Sequence, residues 1–286
     1  MTGGTWYYAK KQHLIALGRW IEPREPWGIP LSGALAGRKT KVRSSFLIYE
    51  TSDGISAVLS VTDGGVLNPV FHESYEPDHL DPPPAKLLPP KPFSIMGKEP
   101  WARQVLDWYG RTDCRTVEYY LMVRKSLYAL SERKLPGITV KKMGLKDLDG
   151  LLMLQEGYEL EEVLLEPEAF NPRISRINLE RLLSEELVYA ALDSSGKALA
   201  KANTNTRALN CYQIGGVYTL PGLRGQGLGK AVMDSLVRDI ESREKTPCLF
   251  VKQENLPAIS LYLAGGFKTY GTYLIAYPGK PALSHG

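Results

Sequence analysis

The stretch TLPGLRGQGLGKAVM, residues 219–233, carries four glycines and two basic residues between a predicted strand and a predicted helix. The strand is CYQIGGVYT, residues 211–219, and the helix is LGKAVMDSLVRDIESR, residues 228–243. Apolar residues recur about one turn apart in the helix and predict a face packed on a core: Leu228, Val232, Leu236 and Ile240. Glycines expose backbone N–H groups, and a helix N-terminus adds partial positive charge. The stretch therefore predicts a binding site for an anion such as a phosphate group.

Two common phosphate-binding motifs fail here on spacing. A P-loop has the pattern G-x-x-x-x-G-K-(S/T). Counted back from Gly229 and Lys230, its first glycine position holds Arg224, and Ala231 stands where the magnesium-binding hydroxyl belongs. A dinucleotide-binding loop has G-x-G-x-x-G, but the third glycine position holds Lys230. The spacing thus argues against a nucleoside triphosphate and against a dinucleotide.

Two blocks in this half of the chain resemble those of the GNAT acyltransferases, the superfamily that moves acetyl groups from acetyl-CoA to amines. The first superfamily block is (Q/R)-x-x-G-x-(G/A), which Arg224, Gly227 and Gly229 match in order. The second block is N-x-x-A-x-x-L-Y-x-x-x-G-F, and it is matched by Asn255, Ala258, Leu261, Tyr262, Gly266 and Phe267. The resemblance covers residues 137–278 and implies an α+β fold, with a mixed, mostly antiparallel sheet flanked by helices.

The resemblance implies that acetyl-CoA, as co-substrate, binds at the first block. Residues expected to hold its pyrophosphate are Arg224, Gly225, Gln226, Gly227, Leu228, Gly229 and Lys230. The strand before the loop is expected to splay from its neighbour, so that backbone groups of Val217, Tyr218 and Thr219 pair with the pantetheine arm. Asn255 and Tyr262 are expected to contact the cofactor as well. Alternatives stay open from the residues alone: an ordinary interior strand, a solvated Lys230, and an Asn255 that only caps its helix.

The resemblance also implies a mechanism, in which the amine attacks the thioester and an acid protonates the departing thiolate. Tyr262 occupies the position implied for that acid. A phenol with an ordinary pKa near 10 keeps its proton until a thiolate needs it. The alternative role of this tyrosine is packing.

The base that takes the proton of the amine is less evident. Many relatives carry a glutamate on the strand before the glycine loop, whereas this strand carries Gln213. The acidic run EGYELEEVLLEPE, residues 156–168, supplies Glu159, Glu161 and Glu162, and Glu162 is our candidate base. Each of the three also fits a solvated helix face. The missing carboxylate motivates an alternative function, a non-catalytic sensor that only binds acetyl-CoA.

A proline and a glycine near residue 136 predict two domains, residues 1–135 and 136–280. The segment 76–93 is so rich in proline that we expect an extended surface loop. Residues 93–125 follow with strand, helix and strand, which resembles a GNAT core without its glycine loop. The first domain is therefore expected to be α+β, a degenerate GNAT-like copy that completes the acceptor pocket or pairs protomers.

Two local predictions complete the chain. SRINLERLLSEE, residues 175–186, predicts a helix that has Ser175 as its N-cap. REPWGIPLSGALAGRK, residues 24–39, predicts a loop with an exposed Trp27.

The composition limits the partners. The 286 residues include 35 Lys and Arg against 31 Asp and Glu, and a net charge of +4 is too mild for the field of many nucleic-acid binders. No apolar run approaches the roughly 20 residues that cross a bilayer, and the N-terminus lacks a signal-peptide core. The three cysteines and four histidines show no metal-ligand spacing. We expect a cytoplasmic monomer or homodimer that acts on an amine-bearing small molecule, peptide or protein lysine, without nucleic acid, membrane or metal.

Overall fold

A single mixed sheet runs through the computed structural model, which describes residues 3–36, 44–74, 80–111, 114–125 and 135–279. Its first six strands are β1 (Thr5–Tyr8), β2 (Ser44–Thr51), β3 (Gly54–Thr62), β4 (Val66–Phe71), β5 (Ser94–Lys98) and β6 (Arg115–Arg124). The next six are β7 (Thr139–Met143), β8 (Val188–Leu192), β9 (Ala198–Arg207), β10 (Cys211–Thr219), β11 (Thr246–Lys252) and β12 (Phe267–Tyr277). Across the sheet they lie in the order β1-β2-β3-β4-β5-β12-β6-β11-β10-β9-β8-β7.

Seven α-helices of the described residues flank this sheet. They are α1 (Leu14–Ile21), α2 (Ile29–Leu35), α3 (Glu99–Trp108), α4 (Leu148–Tyr158), α5 (Pro172–Glu185), α6 (Leu228–Glu241) and α7 (Leu256–Ala264). A π-helical turn, Glu159–Val163, continues α4. All ladders are antiparallel except β4 with β5 and β10 with β11. The predicted fold class, a mostly antiparallel sheet flanked by helices, is confirmed.

The two halves repeat one order of elements. The first half runs β1, α1, α2, β2, β3, β4, β5, α3, β6, and the second runs β7, α4, α5, β8, β9, β10, α6, β11, α7, β12. Only α6 lacks a counterpart, and the segment in its place is rich in proline. There the described residues form one 3-10 turn, Ala85–Leu87, because proline removes the backbone donors that a helix needs. Residues 76–79, the start of the predicted loop, lie outside the described residues.

The halves exchange their last strands. β12 of the second half pairs with β5, and β6 of the first half pairs with β11. At the centre, β6 and β12 pair antiparallel over almost their full length. The division at 135/136 stays a prediction: the order of elements restarts at β7, yet each half completes its sheet with a strand of the other. Residues 1, 2 and 280 of the predicted limits lie outside the described residues.

Two local predictions are wrong. α5 begins earlier than expected, because the side chain of Asn171 accepts hydrogen bonds from the backbone N–H groups of Arg173 and Ile174. Ser175 is instead buried inside the helix. Within residues 24–36, the expected loop contains α2, and Trp27 is buried against Trp101 with their rings 6.2 Å apart.

The helix after the glycine stretch packs as its sequence predicts. Leu228, Val232, Leu236 and Ile240 are all buried in one cluster with strands β8 to β11. Removing such a row of aliphatic side chains from water supplies roughly 1.5–3 kcal/mol per residue. This packing fixes the N-terminus of α6 against the end of β10, where the candidate site lies.

Candidate active site

The strands β10 and β11 splay apart beside the glycine stretch. They pair in parallel only from Cys211 and Thr246 to Ile214 and Leu249. Beyond that point β10 pairs with β9 and β11 pairs with β6. Backbone N–H and C=O groups on the two facing edges are thus not used in a ladder between these strands, and such groups favour a hydrogen-bonding partner. An amide-bearing ligand arm fits this gap.

A β-bulge on β10 lies at the start of the gap. Asn203 pairs with Gly215, and Lys201 pairs with Tyr218. Between these two pairs β10 advances by three residues and β9 by only two, so β10 carries one extra residue. Gly216 sits in this bulge with a φ of 58°, and a Cβ there would overlap the side-chain oxygen of Asn203. Both the positive φ and the close contact therefore require glycine.

Behind the bulge lies a lysine with no exposed surface. Lys201 donates hydrogen bonds from Nζ to the carbonyl oxygen of Gly216 at 3.1 Å and to Oδ1 of Asn203 at 3.0 Å. The ring centroid of Tyr158 lies 5.2 Å from the same nitrogen, and the phenol of Tyr158 hydrogen-bonds to the Gly216 backbone. Burial lowers the pKa of Lys201 to about 7, although Glu159 acts in the opposite direction.

The glycine loop ends at the first turn of α6. Gly225 and Gly227 have positive φ values of 78° and 85°, and Gly227 is the N-cap residue. A Cβ at Gly225 would meet nothing within 4 Å, so its backbone conformation is what requires glycine. At Gly229, a Cβ would lie 3.2 Å from Oγ1 of Thr219. The loop thus presents bare backbone at a helix N-terminus, which fits a pyrophosphate.

Both basic side chains predicted for the pyrophosphate form ion pairs. Arg224 lies 2.6 Å from Oε2 of Glu161, and Lys230 lies 2.6 Å from Oδ2 of Asp234. The hydroxyl of Tyr218 also donates to Glu161 at 2.7 Å. Burial raises the pKa of Glu161, but the hydrogen bonds from Tyr218 and Arg224 outweigh it and hold that pKa below its ordinary value.

The second sequence block forms the opposite wall. Oδ1 of Asn255 accepts a hydrogen bond from the backbone N–H of Ala258 at 3.1 Å, so Asn255 does cap α7. Its Nδ2 donates to Oε1 of Glu162 at 3.0 Å, and Nζ of Lys252 lies 3.5 Å from Oε2 of the same carboxylate. This block therefore ties α7 to the turn that follows α4.

Tyr262 projects from α7 and is buried. Burial raises the pKa of its phenol above the ordinary value, and the neighbouring Tyr158 and Glu162 act in the same direction. A phenol with a raised pKa stays protonated at neutral pH, which suits a proton donor.

A cavity of about 810 Å³ joins these parts. It is lined by the predicted residues Val217, Tyr218, Thr219, Arg224, Gly225, Gly227, Leu228, Gly229, Lys230, Asn255, Tyr262 and Glu162. Gln213 lines it too, whereas Gln226 is exposed and does not. Glu161 and Glu159 are not lining residues, and Glu159 accepts hydrogen bonds from Gln155 and Asn178. Of the three candidate carboxylates, only Glu162 faces the cavity.

Sequence reasoning missed several residues of this site. Met96, Tyr119, Tyr158, Phe250, Ile275 and Tyr277 also line the cavity, and Lys201 lies behind it. Four of them come from β5, β6 and β12, which meet only through the strand exchange. No local sequence pattern predicts that exchange of strands. Tyr158 belongs to the acidic run that the sequence did single out.

The described residues contain no group of three or more His, Cys, Asp or Glu placed to hold a metal ion. No helix among them has the length and apolar character needed to cross a membrane.

Comparisons with known proteins agree with this geometry. Residues 196–275 match the family model of FR47-like proteins, a span that holds both sequence blocks. A GCN5-related N-acetyltransferase-like protein from Streptococcus suis aligns with a TM-score of 0.56 at 14% identity, over 94% of this chain and 99% of that one. The chain has the GNAT fold. No curated protein matches its sequence.

The likeness extends beyond one copy of the GNAT fold. A tandem GNAT protein from the clavulanic acid biosynthesis pathway aligns with a TM-score of 0.55 at 11% identity, over 96% of this chain and 99% of that one. A Drosophila protein aligns with a TM-score of 0.65 at 14% identity, over 96% and 99% of the two chains. The predicted tandem arrangement is thus confirmed at the level of the fold.

Proposed function

We propose that this protein is an N-acetyltransferase that moves the acetyl group of acetyl-CoA to a primary amine. The observation that carries the proposal is one continuous cavity, in which a glycine-capped helix N-terminus, a splayed strand edge and the buried Tyr262 follow one another. This order matches the pyrophosphate, the amide-bearing arm and the thioester of coenzyme A.

Each residue of the site has a separate role in this proposal. The loop backbone from Gly225 to Gly229 would hold the pyrophosphate, and the free edge of Val217 to Thr219 would hold the pantetheine amides. The amine nitrogen attacks the thioester carbonyl carbon, a C–N bond forms, and the C–S bond breaks with its electron pair going to sulfur. Tyr262 gives its proton to that thiolate. Glu162, the carboxylate that lines the cavity, takes the proton lost by the amine.

Electrostatic rearrangement accompanies binding in this proposal. Arg224 and Lys230 lie at the loop and are paired with Glu161 and Asp234. Arg224 is half exposed, and exposed ion pairs contribute little to stability. Replacing Glu161 by a phosphate group as the partner of Arg224 therefore costs little free energy. The proposal keeps the expected cytoplasmic location and an amine-bearing acceptor.

The test is acetyl-CoA binding by isothermal titration calorimetry, together with thiol release in the presence of a panel of amines. Gly227→Glu places a side chain and a negative charge where the pyrophosphate would lie, and it should abolish saturable binding. Gly222→Ala is the matched control in the same segment, because a Cβ there meets nothing within 4 Å. Intact binding in Gly227→Glu would refute the proposed pyrophosphate site.

A second candidate function is a non-catalytic sensor of acetyl-CoA. It is favoured by Gln213 on β10 and by the engagement of Glu162 with Asn255 and Lys252. Saturable acetyl-CoA binding without thiol release for any amine would support the sensor over the enzyme.

A further inference from the structure

The cavity continues from Tyr262 onto the central strands of the sheet. There its wall is built by Met96 of β5, Tyr119 of β6, Phe250 of β11, and Ile275 and Tyr277 of β12. We call these five residues the aromatic chamber. Each is partly exposed to the cavity. Met96 and Ile275 are register partners, and Tyr119 and Tyr277 interact electrostatically, so the wall is continuous across three strands.

The chamber exists because the two halves exchange strands. β12 brings Ile275 and Tyr277 next to Met96 of the first half, while β6 carries Tyr119 next to β11. A single copy of the fold would lack Met96 and Tyr119. The N-terminal half therefore supplies part of the wall on which an acceptor would rest.

One carboxylate, Glu162, lines the cavity together with three tyrosines. Tyr119, Tyr158 and Tyr262 all interact electrostatically with Glu162, and all three line the cavity with it. Nζ of Lys252 already lies 3.5 Å from Oε2 of Glu162, so an acceptor ammonium would share this carboxylate with Lys252 and gain cation–π contacts from the rings.

The five residues of the aromatic chamber carry no basic side chain. Among the described residues that line the cavity, the basic side chains are Arg224, Lys230 and Lys252. Arg224 and Lys230 belong to the glycine loop and α6, and Lys252 is paired with Glu162. Arg115 of β6 acts electrostatically on Tyr277, but it donates to the carbonyl oxygen of Leu165 and does not line the cavity. An acceptor carboxylate in the chamber would lie among apolar and aromatic side chains, where a charge without a hydrogen-bonding partner is costly.

We propose that the acceptor is a primary monoamine with an aromatic or alkyl body and no carboxylate, its ammonium at Glu162 and its body in the aromatic chamber. This inference rests on the proposed function. It gives the degenerate first half a role in acceptor recognition. A polyamine fits less well, because its further charges would have to enter the same apolar wall.

The first experiment compares acceptors with the full chain and acetyl-CoA, measured as thiol release. 2-Phenylethylamine should be acetylated with a kcat/KM at least about tenfold above those of glycine and spermidine, which corresponds to burial of a small apolar group. An equal or higher value for glycine or spermidine overturns the inference and leaves the proposed function standing. Thiol release with none of these three amines overturns the inference, and acetyl-CoA binding with the wider panel of amines then decides separately on the proposed function.

The chamber could hold an apolar acyl group instead of the amine, so the second arm tests the donor. With 2-phenylethylamine as acceptor, benzoyl-CoA should be a poorer donor than acetyl-CoA. Benzoyl-CoA used better than acetyl-CoA, with glycine as the preferred acceptor, would assign the chamber to the acyl group and overturn the inference.

Two variants connect the preference to the chamber. Met96→Ala and Ile275→Ala should each raise the KM for 2-phenylethylamine about fivefold while the Kd for acetyl-CoA is unchanged. Met153→Ala on α4 is the matched control, because Met153 is exposed to solvent and does not line the cavity. Unchanged acetyl-CoA binding shows that a variant is folded, and an unchanged KM for the amine in both folded variants overturns the inference.

Discussion

Nζ of the buried Lys201 donates a 3.1 Å hydrogen bond to the carbonyl oxygen of Gly216 on the neighbouring strand. Gly216 is the bulged residue at the start of the gap between β10 and β11. The lysine thus takes the place of a ladder partner that the bulge removes. Because Lys201 has no exposed surface, it acts from behind the strand and leaves the cavity side of β10 clear.

This arrangement predicts a pH dependence of stability. The pKa of Lys201 is about 7 in the folded protein and near 10.4 in an unfolded chain. Between those values the unfolded state binds more protons, so the free energy of unfolding should rise with pH, by about 1 kcal/mol per pH unit. Lys201→Met should remove this contribution. Urea unfolding of both proteins at pH 7, 8 and 9 measures it, and parallel curves would contradict the lowered pKa.

A second prediction concerns the bulge itself. Gly216→Ala should lower the free energy of unfolding by about 1–3 kcal/mol, because alanine is strained at this positive φ and its Cβ overlaps Asn203. Acetyl-CoA affinity should fall with it, since the bulge shapes the edge of the gap. Gly150→Ala on α4 is the matched control: its Cβ meets nothing within 4 Å, and alanine favours a helix. Equal stability of the two variants would show that the bulge tolerates a side chain.

Local patterns predicted the elements around the glycine stretch well. The period of Leu228, Val232, Leu236 and Ile240 predicted a helix with one buried face, and all four are buried. The second block predicted α7 with its capping asparagine as an open alternative, and the cap is present. Serine favours the N-cap position, so the sequence predicts Ser175 as the cap, but Asn171 lies just before a proline at the helix start and makes the hydrogen bonds of the cap.

The rest of the site depends on pairing between distant parts of the chain. Tyr119 and Tyr277 lie far apart in sequence, and only the exchange of β6 and β12 brings them to one wall. Periodicity reports which face of a strand is apolar, not which strand lies beside it. Lys201 was missed for a related reason: in KALAKANTNTR it alternates with alanines, as a solvent-facing lysine would, yet that side of β9 is covered.

The proposed acid gives a third prediction. Tyr262→Phe should lower kcat about 100-fold, the contribution typical of a general acid, while the Kd for acetyl-CoA stays unchanged. The phenol is needed only when the thiolate leaves, and the ring that packs on Phe267 is kept. Tyr270→Phe is the control, since Tyr270 is partly exposed on β12 and does not line the cavity. A kcat equal to that of the control would mean that Tyr262 packs in the site and does not donate the proton.

The proposed base gives the last prediction. Glu162→Gln retains an oxygen that can accept from Nδ2 of Asn255 but cannot take a proton at neutral pH. Its kcat at pH 7 should fall about 100-fold. An alkylamine has a pKa near that of lysine, about 10.4, so raising the pH supplies more neutral amine and the deficit should shrink toward pH 9.5. Glu180 is an exposed residue of α5, and Glu180→Gln should have the same kcat as the unmodified protein at every pH. A deficit that stays constant with pH would mean that Glu162 positions α7 and the ammonium without accepting its proton.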